Sequence, residues 1–533
     1  MGHEANLHFI QALEKQIEEG KGDTIKLKRA RNSLLNISMR IPPEILARIF
    51  IWNVFREAEH SLDRLSHFEG LRKGSYNFLL VCYHWFEVAS RTPELWSFWG
   101  ITLNDWKTRH HRSGGTPIDL VLYEPRYYHR GLFDGPLRDA VRSRVTRDII
   151  RQAHLVSYDH ITLTSIISSL TPNEEGGQNE NIESIIWRNR SRTPVDISHF
   201  FARSRLSGLR LLELTGDFHI PSWDGLASRT TLLTAVSLGI NESLPSPTPT
   251  ASQLLSILAS NPNLRELKLA GAAIPDDADG SVFQVQLQNL KTLALWGEFR
   301  RIFDLLHRLI LPQALEIYLG IDNPTVEDLS QTLAPYMQEY FQRDDRFRDT
   351  LAVSSSSAHG SISIVVSVTS AQATAPRPRV SFSVDLGGVR QNLVEQLLTN
   401  LIAPIPRESL ISFTADLDIK LPEELLAVMP NINTLSIRGV ELTEGFLQPN
   451  PDGQNPNAKL LPSLRSLSLE DITLDNDNWG HLMTYLAHQT SDNQTISLRV
   501  SGNVPHIPPE VVNEINDLVG EFIYHQNPWG EDE

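Results

Sequence analysis

The chain has 533 residues, too many for one compact core, so two or more domains or an elongated repeat array are expected. Its net charge of −16 argues against nucleic acid as the main partner, and no run approaches the ~20 apolar residues that cross a bilayer. The single cysteine, Cys82, rules out an internal disulfide and a Cys-rich zinc site, and without a signal-peptide core the chain reads as intracellular, cytoplasmic or nuclear.

Residues 1–35 read as two helical pieces broken at Gly20-Lys21-Gly22-Asp23. Leu7, Ile10, Leu13 and Ile17 make a stripe on the first piece; Ile25, Leu27, Leu34 and Leu35 make one on the second. The pattern falls short of three heptads, so a hairpin folding back on the neighbouring helical segment is the reading, with a coiled coil as the alternative.

Residues 36–105 hold the most specific pattern. Pro42 and Pro43 suit a first helical turn, where a missing N–H costs nothing, and Ile45, Leu46, Ile49 and Phe50 then share one helical face. Val81, Trp85, Val88 and Ala89 repeat the pattern and stop before Pro93. Two such short amphipathic helices are unstable alone and must bury those faces against each other or a partner.

The run Pro42-Pro43-Glu44-Ile45-Leu46 with Ile49-Phe50, the core Leu79, Val81-Cys82 and Trp85, and the close Thr92-Pro93-Glu94-Leu95-Trp96 together resemble the F-box. The form is that common in fungal, basidiomycete-type proteins with C-terminal degenerate leucine-rich repeats. Two departures stand out. Tyr83, His84 and Phe86 occupy positions around the Trp that are usually basic, and the stretch 51–78, rich in charge and His, is longer than in a minimal F-box. The resemblance implies that the chain is the substrate-recognition subunit of an SCF-type cullin-RING ubiquitin ligase. By it, Ile41, Pro42, Pro43, Ile45, Leu46, Ile49, Val81, Trp85, Leu95 and Trp96 would face a Skp-type adaptor and, through it, a cullin. Some of these must fill the domain's own core, and the sequence does not divide them.

The segment 106–155 reads as a basic connector. Ten Lys or Arg stand against five Asp or Glu over 107–151. It is read as a solvated helix, since Asp134/Arg138 and Arg144/Asp148 are spaced to pair, with a docking patch for an acidic partner as the alternative.

Over 156–533 the signal is repetition. An apolar residue, two variable ones, an apolar one, a variable one and a final apolar one recur as Ile182-Ile185-Trp187, Leu209-Leu212-Leu214, Leu233-Val236-Leu238, Leu264-Leu267-Leu269 and Leu290-Leu293-Leu295. The unit returns as Ala314-Ile317-Leu319, Ile432-Leu435-Ile437 and Leu464-Leu467-Leu469. Steps between middle positions run from 24 to 32 residues, at or just above the leucine-rich-repeat range. Helical stretches are expected between them at Ser252–Ser260, Ile302–Leu311, Val326–Tyr340, Pro422–Met429 and Trp479–His488. The expected fold is therefore α/β: a small helical F-box-like domain followed by an α/β leucine-rich-repeat-like solenoid. An unrelated α/β domain is the competing architecture. Leu351–Val384 alternates around Thr374-Ala375-Pro376-Arg377-Pro378 and reads as an inserted β-hairpin; Gln448–Pro462 and Pro172–Asn181 read as loops.

No enzyme signature is present: no Gly-rich phosphate loop, no nucleophile elbow, no His-Glu-x-x-His helix. His110-His111, with His129 and Glu124, lacks a metal-site pattern, and Asp276-Asp277 and Asp344-Asp345 lie in polar turn-like segments. The chain is read as a non-enzyme with no cofactor or metal. If the repeat register holds, Glu213, Lys268, Trp296, Tyr318, Arg438 and Glu470 point to the concave face and would contact a target protein, Trp296 and Tyr318 foremost. A slip of one residue would put them in the core. The alternative function is an F-box-fold interaction or scaffold protein acting outside any ligase.

Overall fold

A computed structural model of the chain describes residues 3–19, 23–31, 41–63, 79–99, 111–123, 150–172, 177–240, 248–276, 283–322, 324–339, 350–369, 380–387, 410–416, 431–439, 461–471, 476–490, 495–502 and 507–526, with short breaks inside several of these stretches. They form two mixed α/β units: Met1–Leu233 with Leu244–Pro247, and Thr234–Ser243 with Thr248–Glu533.

The first unit begins with the helix His3–Glu18, and an Arg31–Glu14 contact at 4.0 Å brings the second helical piece back onto it. The helix Pro43–Asp63 starts where the two prolines require: the Pro42 carbonyl accepts the Ile45 and Leu46 N–H groups, and Pro43 takes the first helical position. It runs on past Phe50 into the charged stretch. The helices Tyr83–Ser90 and Pro93–Trp96 follow, and the chain passes at once into a short strand, Phe98–Trp99.

That strand opens a parallel sheet whose strands lie in chain order: Phe98–Trp99, Ile118–Tyr123, Ile150–Ser157, Ser184–Asn189 and Leu211–Gly216. Two of these strands fall where a basic connector was expected, and Ile150–Ser157 runs across the expected boundary at 155. The charged pairs Asp134/Arg138 and Arg144/Asp148 lie outside the described residues. One sheet face is apolar: Leu120, Ala153, Ile185 and Leu212 form one row, Leu122, Leu155, Trp187 and Leu214 the next, all buried. The helices His160–Leu170 and Ser198–Arg203 supply the apolar partners, with Phe200 edge-on to Trp187 at 4.8 Å. Asp159 caps the former by accepting the Ile161 and Thr162 N–H groups. Within the expected loop 172–181, Gly177–Gln178 pairs as a short strand with Ser204–Arg205.

The second unit repeats the plan. Ala235–Ile240, Glu266–Gly271, Thr292–Glu298 and Glu316–Asp322 are parallel and in chain order, and their middle apolar residues Val236, Leu267, Leu293 and Ile317 align in one buried row. Ser412–Asp416, Thr434–Arg438, Ser466–Glu470, Ser497–Gly502 and Glu521–Gln526 form a second parallel run. Truncating any one of these buried leucines to alanine typically costs about 2–5 kcal/mol.

Between the two runs the hairpin is larger than expected. Thr350–Ala358, Ser361–Thr369 and Val380–Gly387 form a three-stranded meander stitched into the sheet, its last strand beside Glu316–Asp322 and its first beside Ser412–Asp416. Thr374-Ala375-Pro376-Arg377-Pro378, between the second and third strands in sequence, lies outside the described residues. The helix Ala251–Ala259 is closed by a Thr250/Gln253 capping box, as the Ser252–Ser260 expectation nearly places it. The helix expected over Ile302–Leu311 instead spans Phe299–Leu306, because Leu309–Ile310 leaves it to pair with Val285–Gln286. Described residues of 327–339 are helical, with a wide π turn over Asp328–Leu333. The last expected helix spans Asn476–Thr490, while Pro422–Met429 lies outside the described residues.

Candidate functional site

Two surfaces carry the residues singled out by sequence. The first is the helical module of the first unit. Leu46, Phe50, Val88, Ala89, Leu95 and Trp96 form its core, with Ile41, Ala47, Ile51, Leu79 and Trp85 packed around them. The Phe50 and Trp85 rings meet at 5.1 Å. Trp96 Nε1 donates to the Ala89 carbonyl and Thr92 Oγ1 to the Val88 carbonyl, both at 2.8 Å, so carbonyls at the end of one helix hold the next. Arg112 lies 4.3 Å from the Trp96 ring centroid and 5.8 Å from that of Phe86.

This geometry divides the ten residues expected at an adaptor. Leu46, Leu95 and Trp96 are core; Ile41 and Trp85 are half-buried; Pro42, Pro43, Ile45, Ile49 and Val81 are exposed. The exposed set is wider than the motif indicated. Ile45, Ile49 and Trp52 line one face of their helix at i, i+4 and i+7, and Val81, Tyr83 and Phe86 stand out beside the second helix, all 40–61% exposed. Trp52, Tyr83 and Phe86 were missed because the motif names the residues next to them; once Leu46, Phe50, Val88 and Ala89 are fixed as the core, the helical period turns them outward.

The second surface is the non-apolar face of the second unit's sheet. Lys268, Trp296, Tyr318, Arg438 and Glu470 all sit there, in the expected register. Lys268 is ion-paired with Glu266 on its own strand. Two strands over, Tyr318 hydrogen-bonds Glu316; burial and the Glu316 carboxylate raise its phenol pKa, against a smaller pull from Lys268. Trp296 is 39% exposed and lies against Gly320, its neighbour on the next strand: a Cβ at Gly320 would fall 1.9 Å from the indole Cδ1. Arg438 Nε is 3.1 Å from Asp471 and 4.0 Å from Glu470, and these carboxylates with Asp416 raise the guanidinium pKa, Glu470 most. Glu213, the sixth residue, belongs to the first unit and pairs with Arg188.

On the first unit's sheet, Asp119 and His154 are buried. Asp119 receives two hydrogen bonds from Arg151, at 3.0 and 2.7 Å, yet burial outweighs them and pushes its carboxyl pKa up. His154 is paired with Ser184 Oγ at 3.1 Å, and burial, helped by Arg188, lowers its pKa to about 4. These groups are closed off from solvent and serve packing.

Among the described residues no group of three or more His, Cys, Asp or Glu is placed to hold a metal ion, and no helix is long and apolar enough to cross a membrane. His111 is exposed; His110, Glu124 and His129 lie outside the described residues. No protein-family model matches the sequence, and no curated protein matches it.

Proposed function

We propose that the chain is the substrate-recognition subunit of an SCF-type ubiquitin ligase, its F-box-like helices docking a Skp-type adaptor and its leucine-rich-repeat-like sheet holding a target protein. One observation carries the reading: Ile45, Ile49, Trp52, Val81, Tyr83 and Phe86 are presented to solvent around a core that is complete without them. Large apolar side chains exposed together on a small module mark a protein-docking surface. The chain would make no bond itself; its contribution is proximity, bringing target lysines to a charged conjugating enzyme.

The test is capture of the recombinant adaptor by the full chain and by Ile45→Asp/Ile49→Asp. Loss of binding at least tenfold, with unchanged circular dichroism, is the expected result. Leu46 is unsuitable for this purpose, since its truncation opens the core and confounds docking with folding. Deleting 1–105 is unsuitable too, because it removes Phe98–Trp99 and bares the edge of Ile118–Tyr123. A second reading, an interaction protein outside any ligase, is favoured by one feature: Tyr83, His84 and Phe86 stand where the resemblance calls for basic residues. Failure of the intact chain to bind the adaptor would select it.

A further inference from the structure

We propose that the open sheet face of the second unit, centred on Trp296, binds an extended Arg- or Lys-bearing segment of another protein. The inference rests on the reading of this face as target-holding and is independent of whether the helical module binds an adaptor.

Three features of the face define its occupant. The first is the seat of the indole. In the row across the strands, Trp296 is flanked by Ala270 and Gly320, and Gly239 lies beyond Ala270. Side chains this small leave the ring free to lie over the sheet, and its pyrrole edge does so on Gly320. The ring is thereby fixed in place while still 39% exposed, the condition under which a π face can receive a cation without first being ordered.

Charge is the second feature. On the same face of these strands, Glu266, Glu298, Glu316 and Asp322 stand against Lys268 alone. Lys268 is claimed by Glu266, and Arg301 is shared between Glu298 and Asp276. Glu298 and Asp322 are paired in register, two residues beyond Trp296 and Gly320, or about 7 Å along the strands. An acidic ligand would be repelled here, and a neutral apolar one would strip water from carboxylates without pairing them. A guanidinium or ammonium over the indole meets both the ring and the carboxylates.

A second cluster of the same sign gives the occupant its length. Asp416, Glu470 and Asp471 surround Arg438, leaving an excess of carboxylate further along the same sheet. Six strand steps separate Thr292–Glu298 from Thr434–Arg438, which at about 4.8 Å each is about 29 Å. An extended chain spans that in about nine residues.

The test is fluorescence anisotropy of a labelled peptide carrying two Arg pairs about nine residues apart on a Ser/Gly backbone. Versions with citrulline or Glu in place of Arg are run beside it, all against the full chain. Binding of the Arg peptide at least tenfold tighter than the citrulline peptide is expected. Trp296→Ala should lose about tenfold, Trp296→Phe much less, and Glu298→Gln/Asp322→Asn an intermediate amount. Glu510→Gln/Glu514→Gln, the same charge change on the exposed side of Pro509–Leu518, should lose nothing. Equal binding of Arg and citrulline peptides overturns the proposal, as does equal loss in the Glu510/Glu514 control. Trp296-dependent binding of the citrulline or Glu peptide overturns the basic class while keeping the face as a target site. Binding that ignores Trp296 with every peptide overturns both.

Discussion

Both units send alternate strand residues into an apolar layer, and they differ in what becomes of the other face. In the first, along Ile118–Tyr123 and Ile150–Ser157, the opposite positions Asp119, Val121, His154 and Val156 are buried like the core, while Arg188 and Glu213 further along are half-buried. In the second, the equivalent positions carry Lys268, Trp296, Tyr318, Arg438 and Glu470, which reach solvent. The two-residue period sets which side chains share a face; it does not set whether that face is open. Asp119 and His154 are therefore structural, with pKa values moved by burial, while the charged groups on the open face are available to a partner.

The sharpest way to break this contrast is Arg151→Ala. It leaves the Asp119 carboxylate, 1% exposed, without its two charge-assisted hydrogen bonds. Loss of one partner of such a pair typically costs about 3–5 kcal/mol. Hydrogen exchange over Ile118–Tyr123 and Ile150–Ser157 should report it, and the deficit should shrink as acid protonates Asp119. An equal loss at acidic and neutral pH would remove the charge from the explanation. On the open face, Glu266→Ala should cost no more than about 1 kcal/mol, since Lys268 stays hydrated.

His154 sharpens the comparison through pH. Its folded pKa of about 4 lies below the ordinary 6.5, so the unfolded chain binds the proton more readily. The stabilisation is complete above pH 6.5, falls as pH drops from 6.5 toward 4, and levels off below that. Integrated over the window it is about 3 kcal/mol. Asp119, with its pKa raised above 3.8, contributes the opposite slope just above that value. His154→Asn should flatten the fall between pH 6.5 and 5, read by exchange protection of Ile150–Ser157 and Ser184–Asn189. An unchanged slope in the variant would assign the pH dependence to other groups.

How much of this was legible depends on particular residues. The alignment of Leu267, Leu293 and Ile317, and with it the outward direction of Lys268, Trp296 and Tyr318, came from spacing alone. Strands whose core positions are small were missed: Ala153 in Ile150–Ser157 and Ala415 in Ser412–Asp416 are fully buried yet do not register as apolar members of a repeat. The strand Thr350–Ala358 hid because its second half is the run Ser354-Ser355-Ser356-Ser357, which carries no apolar alternation, so a three-stranded meander read as a hairpin. On the helical module, the spacing gave both helical faces but not which apolar residues stay outside. The seat of Trp296 on Gly320 depends on which residue pairs with which across strands, and no local pattern encodes that.

Two glycines give the contrast its finest test. A Cβ at Gly216, in the first unit, would fall 1.9 Å from the Asn189 carbonyl oxygen, and φ there is +103°. Backbone cannot give way cheaply, so Gly216→Ala should cost about 2–4 kcal/mol, seen as lost exchange protection in Leu211–Gly216. Gly320, in the second unit, has the same 1.9 Å conflict, but with the indole of Trp296, a side chain that can swing into solvent. Gly320→Ala should therefore cost less than about 1 kcal/mol, since little buried area is lost. Its effect belongs to recognition: the ring is pushed off its seat, so the Arg peptide should weaken nearly as much as in Trp296→Ala while unfolding is barely changed. The double variant Gly320→Ala/Trp296→Ala should then bind no worse than either single one, because both remove the same ordered ring. Additive losses would mean that Gly320 serves the ligand directly, as backbone a peptide approaches, and that the indole contributes without needing its seat.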